Sequence, residues 1–172
     1  LSEFTEDLRV VVIGARGKIH ENQTDKIGAK LESIIRALHG HILVAYDAFK
    51  PPQRIMIAYD GSASSNKYID TLANSPLYKG LDCHLVCVNK RNTNDGVIEN
   101  AVNRLKVAGW NDIISANLQG RTETELCKYQ TSHDIDLTIM GAFNHTRLHD
   151  LILGSFTTKM LLNTKTPLLL LR

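Results

Sequence analysis

The sequence predicts an α/β protein with a parallel five-stranded sheet and helices on both faces, preceded by a β-α-β piece of a second copy. Three observations carry that expectation. Short apolar runs rich in β-branched residues alternate with segments of helical periodicity, the order of a sheet whose strands are joined by crossover helices. The runs are continuous rather than alternating, as strands buried on both faces require. A unit of strand, glycine loop, helix and strand occurs twice, once near each end of the chain.

Taken in order, residues 9–13 (RVVVI) read as a strand stopped by Gly14. Gly14-Ala15-Arg16-Gly17 is a glycine loop, and Ile27, Leu31, Ile34, Ile35 and Leu38 then recur at helical spacing up to a stop at His39-Gly40. Residues 42–46 form a second strand. Pro51-Pro52 makes a stiff break without backbone donors. The chain therefore divides into 1–48, a linker at 49–53, and a complete domain at 54–172. That domain opens with a strand over 55–59 ending in Asp60-Gly61-Ser62, where Asp and Gly suit a turn and Ser62 or Ser64 suits a helix cap. Helices are expected over 65–72, from Val97 to near Gly109, over 123–130 and over 151–162. Strands are expected over 85–88, briefly at Ile113-Ile114, over 137–140, and over 168–171 after Pro167.

Composition excludes several classes. With 20 Lys and Arg against 18 Asp and Glu, signs mixed along the chain, there is no basic track for nucleic acid. Apolar runs fall far short of the roughly 20 residues that span a bilayer, so no membrane partner is expected. Cys83, Cys87 and Cys127 have neither metal-site nor disulfide-framework spacing, and reduced thiols fit a cytoplasmic location. The chain opens on Leu1 and its early β-α-β piece has no first strand of its own, so an incomplete first domain is expected.

The two copies agree in detail. Residues 10–17 match 136–144 in pattern, and Gly28-Ala29 stands where the later copy has Gly154-Ser155, with one extra residue in the earlier loop. The earlier copy keeps the turn glycines Gly14 and Gly17 with Gly28, and lacks the hydroxyl. In the later copy Gly141 is followed after two residues by Asn144, and after nine more by Gly154-Ser155. Together with the apolar run ending in Asp60-Gly61-Ser62, these elements make the chain resemble the universal stress protein family in its tandem form, over essentially all of 54–172 and the closing part before residue 48.

That resemblance implies an adenine nucleotide alpha hydrolase-like sheet and a universal stress response protein that binds ATP or a related adenine nucleotide, with Mg as a companion ion. By resemblance Asp60 and Val88 would lie near the ribose and adenine, and Gly141, Gly154 and Ser155 would meet the phosphates, with Thr157 a weaker candidate. Asn144 departs from the family's second glycine; it tolerates left-handed dihedrals, but its side chain narrows the approach to the backbone. The closing strands of the two copies would pair, and a homodimer is plausible.

Elementary chemistry supplies part of the same picture. Open parallel sheets bind ligands beyond the carboxyl ends of their strands, which puts Asp60, Val88 and Gly141 on one edge. If a helix begins at Gly154-Ser155, its free N–H groups favour an anion, and His145 and Arg147 add donors. Asp60 reads equally as a ribose contact, a Mg²⁺ contact or a turn residue. No Walker loop, dinucleotide fingerprint or catalytic residue set is present, so a sensor or switch with at most weak ATPase activity is expected. The alternative is a nucleotide-free dimerisation or scaffold module of the same fold.

Overall fold

The computed structural model describes residues 10–15, 29–38, 40–46, 50–89, 96–142 and 154–171. Gly17, Gly28, Asn144, His145 and Arg147, all expected at loops, lie outside the described residues.

Among the described residues the early piece contributes strand β1 (Val10–Gly14), helix α1 (Ala29–Ala37) and strand β2 (His41–Ala45). The later piece contributes β3 (Arg54–Tyr59), α2 (Ala63–Ala73), a 3-10 turn at Pro76–Tyr78, β4 (Asp82–Asn89), α3 (Val97–Val107), β5 (Ile113–Gln119), α4 (Thr122–Ser132), β6 (Leu137–Gly141), α5 (Ser155–Asn163) and β7 (Leu168–Leu171). They form one seven-stranded sheet in the order β1-β2-β7-β6-β3-β4-β5. All neighbours are parallel except β2 and β7, which run antiparallel. The expected five parallel strands are thus β7-β6-β3-β4-β5, and the early piece extends the same sheet to seven strands.

Two apolar layers flank the sheet. Leu31 and Ile35 of α1, Leu126 and Tyr129 of α4, and Met160 and Leu161 of α5 pack with one face. Ile69 and Leu72 of α2 and Ile98, Ala101 and Leu105 of α3 pack with the other. The all-leucine β7 is buried along its whole length because β6 and β2 occupy its two edges. Pairing of the closing strands is therefore direct: Ile42 faces Leu170, Leu43 faces Leu169, and Val44 faces Leu168.

Several boundaries differ from expectation: β4 begins at Asp82 and ends at Asn89 where 85–88 was expected, and α2 begins at Ala63 rather than 65. β5 runs seven residues rather than two, because an edge strand can carry Ser115, Asn117 and Gln119 toward solvent and so hides from an apolar reading. The last described helix begins at Ser155, since Gly154 holds extended dihedrals (φ −60°, ψ 143°) as its N-cap; 151–153 lie outside the described residues.

The strand order places the site. β4 and β6 lie on opposite sides of β3, and the chain crosses from one side to the other through α4. A crevice opens at such a reversal, beyond the carboxyl ends of the strands.

Candidate functional site

A cleft of about 320 Å³ lies at that reversal, within the size range of small-molecule sites. Its floor is apolar: Ala58, Val86, Val88, Leu126, Met140 and Phe156, which all belong to or pack on one core layer. Its rim is polar and comes from the first turns of three helices and the turn after β3.

That turn is built by its own side chains. The Asp60 Oδ1 accepts the Ser62 backbone N–H at 3.0 Å, and the Ser62 Oγ accepts the Ser65 N–H at 3.1 Å as the N-cap of α2. Such a cap is worth about 1 kcal/mol. Gly61 takes φ +74°, and a Cβ there would lie 2.5 Å from a Val97 methyl, so only glycine fits both conformation and space. Asp60 is exposed and lines the cleft while serving the turn, so its turn reading holds.

Across the cleft, Gly141 closes β6. A Cβ on Gly141 would lie 2.6 Å from Cε2 of Tyr68, so the glycine lets the Tyr68 ring close against the strand end. Burial raises the Tyr68 pKa, and the nearby Asp60 charge adds to the rise. Ser155 opens α5, whose N-cap Gly154 provides no side-chain cap, and α4 likewise starts behind Arg121 without a side-chain cap. Two helix starts without a side-chain cap therefore border the same space. Thr157 is buried, and its hydroxyl donates to the Ala142 carbonyl at 2.8 Å, tying α5 to the end of β6. That bond occupies its one proton, so in this arrangement it has none to donate to a phosphate.

The geometry thus brings Asp60, Val88, Gly141, Ser155 and Thr157 to one cleft from positions spread over the later piece, with Gly154 buried immediately behind Ser155. Gly14 is elsewhere, as the last residue of β1 opposite Ala45. Sequence reasoning missed Ser64, Tyr68, Thr122, Glu123 and Lys159, which also line the cleft. A signal for the last two was present: Glu123 lies in the first turn of α4, and Lys159 follows Ser155 by one helical turn, on the same face. Their conjunction was not readable, because they meet across two helices: Lys159 Nζ lies 3.0 Å from Glu123 Oε1.

Other reactive groups are muted. Burial pushes the Cys83 thiol up to about 12, and burial followed by the Asp60 charge raises that of Cys87, so neither is a thiolate at neutral pH. Among the described residues no cluster of three or more His, Cys, Asp or Glu side chains is placed to hold a metal, and no helix is long and apolar enough to cross a membrane.

Comparison with known proteins bears on this arrangement. Residues 90–172 match the profile of the universal stress protein family. A universal stress protein of Synechocystis sp. is 35% identical over the whole of this chain, which spans 61% of that relative's length. Among solved structures, a universal stress protein in complex with cAMP superposes with a TM-score of 0.61 at 20% identity, covering 72% of this chain and 98% of that one. A universal stress protein from Archaeoglobus fulgidus gives 0.74 at 13% identity, covering 99% of this chain and 63% of that one. On the sequence match and the shared fold together, this chain carries a universal stress protein family domain.

Proposed function

We propose that the chain binds an adenine nucleotide in the cleft between β3, β4 and β6 and acts as a nucleotide-responsive sensor or switch, with ATP as the leading ligand. One observation carries the reading: Asp60, Val88, Gly141 and Ser155, far apart in sequence, border one cleft with an apolar floor and helix starts at its rim. A planar base suits the floor around Val86, Val88 and Met140. Phosphates suit the uncapped start of α5 at Ser155, beside its hydroxyl. The fold-level similarity to a protein in complex with cAMP supports the same ligand class.

A Mg²⁺ beside the phosphates fits the donors present, since that ion takes one or two carboxylates together with phosphate oxygens. Asp60 is the residue that would hold it; it would neutralise phosphate charge. Isothermal titration of nucleotide-free protein with ATP and Mg²⁺ is the test, and saturable binding below millimolar concentration is expected. Absence of binding at millimolar ATP, with circular dichroism unchanged, would leave the scaffold reading in its place.

The early piece is read as the closing part of a first domain, residues 1–48, joined through 49–53 to a complete domain at 54–172. Two features support this. The units β1-α1-β2 and β6-α5-β7 are each a parallel strand pair joined through a helix, and they meet antiparallel with Leu43 opposite Leu169 at the centre of the contact. A twofold through that pair, normal to the sheet, puts both helices on the same face, where both pack. Equivalent positions also differ: Ile139 of β6 is fully buried beside β3, and its counterpart Val12, on a strand paired among the described residues with β2 alone, is 65% exposed.

A further inference from the structure

Lys159 is the one Lys or Arg among the described residues that line the cleft, against two carboxylates, Asp60 and Glu123. An anionic ligand entering that space needs a cation, and Lys159 stands one turn beyond Ser155 on the same face of α5. Its Nζ is held by Glu123 at 3.0 Å. The Glu123 side chain is only 13% exposed, and its carboxyl lies below the usual range because its own backbone N–H and then Lys159 hydrogen-bond to it. Glu123 has a second cationic neighbour, the Arg121 guanidinium at 3.3 Å, itself 77% exposed. Removing Lys159 from Glu123 would therefore leave that carboxylate paired. Lys159 is 45% exposed, and ion pairs at such exposure are weak enough to exchange partners.

We infer that the Glu123–Lys159 pair is an exchangeable latch: Lys159 leaves Glu123 for a ligand phosphate, so the pair sets how strongly the site prefers phosphorylated adenine ligands over adenosine. This rests on the nucleotide reading above. The exchange moves one cation from a carboxylate to a phosphate, breaks no covalent bond, and frees the first turn of α4 from α5, which couples occupancy to the gap between those helices.

The latch has a signature that a structural brace lacks. Both Glu123→Gln and Lys159→Gln delete the same bridge between α4 and α5, so a brace predicts changes of the same sign. A latch predicts opposite signs, because Glu123 competes with the phosphate for Lys159. Titration of ATP and of adenosine into wild type and both variants decides between them. The ATP-to-adenosine affinity ratio is expected to rise in E123Q and fall in K159Q, each by about two- to fivefold. If wild type binds ATP and the ratio moves the same way in both variants, or in neither, the latch is wrong and nucleotide binding stands. If wild type binds neither ligand, both readings fall together.

Discussion

His84 shows how one side chain records its surroundings. It sits in β4, 3% exposed, with Nδ1 2.9 Å from the Tyr129 hydroxyl and its ring edge-on to both Tyr129 and His133, which stack on each other at 3.8 Å. Burial lowers its pKa, and the His133 and Arg54 charges lower it further, against a smaller opposing effect from Asp82. A base whose folded pKa is depressed is neutral in the fold and takes up a proton more readily when unfolded. Stability is therefore full above the unfolded value of about 6.5 and falls as pH drops toward the folded value, by about 1.4 kcal/mol for each unit of depression. Thermal melts of wild type are expected to drop between pH 7.5 and pH 5, and the drop is expected to be smaller in His84→Gln. An equal drop in both would assign the acid sensitivity elsewhere, for example to His41, whose pKa burial also lowers. Seven histidines are visible in the sequence, but which one is buried against a tyrosine 45 residues away is not, because that contact depends on how α4 lies over β4.

At the scale of elements, continuous apolar runs marked the buried strands, and polar residues hid the rest: β4 starts at Asp82, ahead of its apolar run, because Asp82 and His84 interrupt the pattern. β3, β6 and β7 stand within a residue of the expected bounds because their sequences are continuous apolar runs. β5 was underestimated because an edge strand needs few apolar residues, and it shows: Ile114 is 52% exposed. The other edge differs in kind. β1 is VVVIG, wholly apolar apart from its glycine, with only β2 beside it among the described residues, and an apolar edge without charge or proline is a ready template for another strand. Amide hydrogen exchange is expected to be faster over Val10–Gly14 than over Leu137–Gly141, since among the described residues β6 lies between two strands and β1 has one. Equal protection would mean that the open side of β1 is already covered, and would remove the support Val12 lends to an incomplete first domain.

For the whole molecule, the antiparallel joint between β2 and β7 decides whether the two pieces act as one body. Ile42, Val44, Leu168 and Leu170 share one core layer across that joint. A chain cut to begin at Lys50 would leave β7 with an unpaired edge of four buried leucines, and such an edge recruits a partner. Sedimentation of that shortened chain is expected to show a dimer or larger species at tens of micromolar protein; a stable monomer would show that β2 is dispensable. The sequence by itself determined the alternation of strands and helices, and it set Asp60 and Gly141 at the ends of apolar runs and Ser155 at the start of a helical one, because these are written in local periodicity and in short spacings. Only the tertiary structure decided that the early piece continues the same sheet, that Thr157 turns inward to Ala142, and that Tyr68, Glu123 and Lys159 border the cleft. The physical reason is that periodicity reports which face of an element is buried, whereas the identity of its neighbour follows from strand order and helix packing, to which residues far apart in the chain contribute jointly.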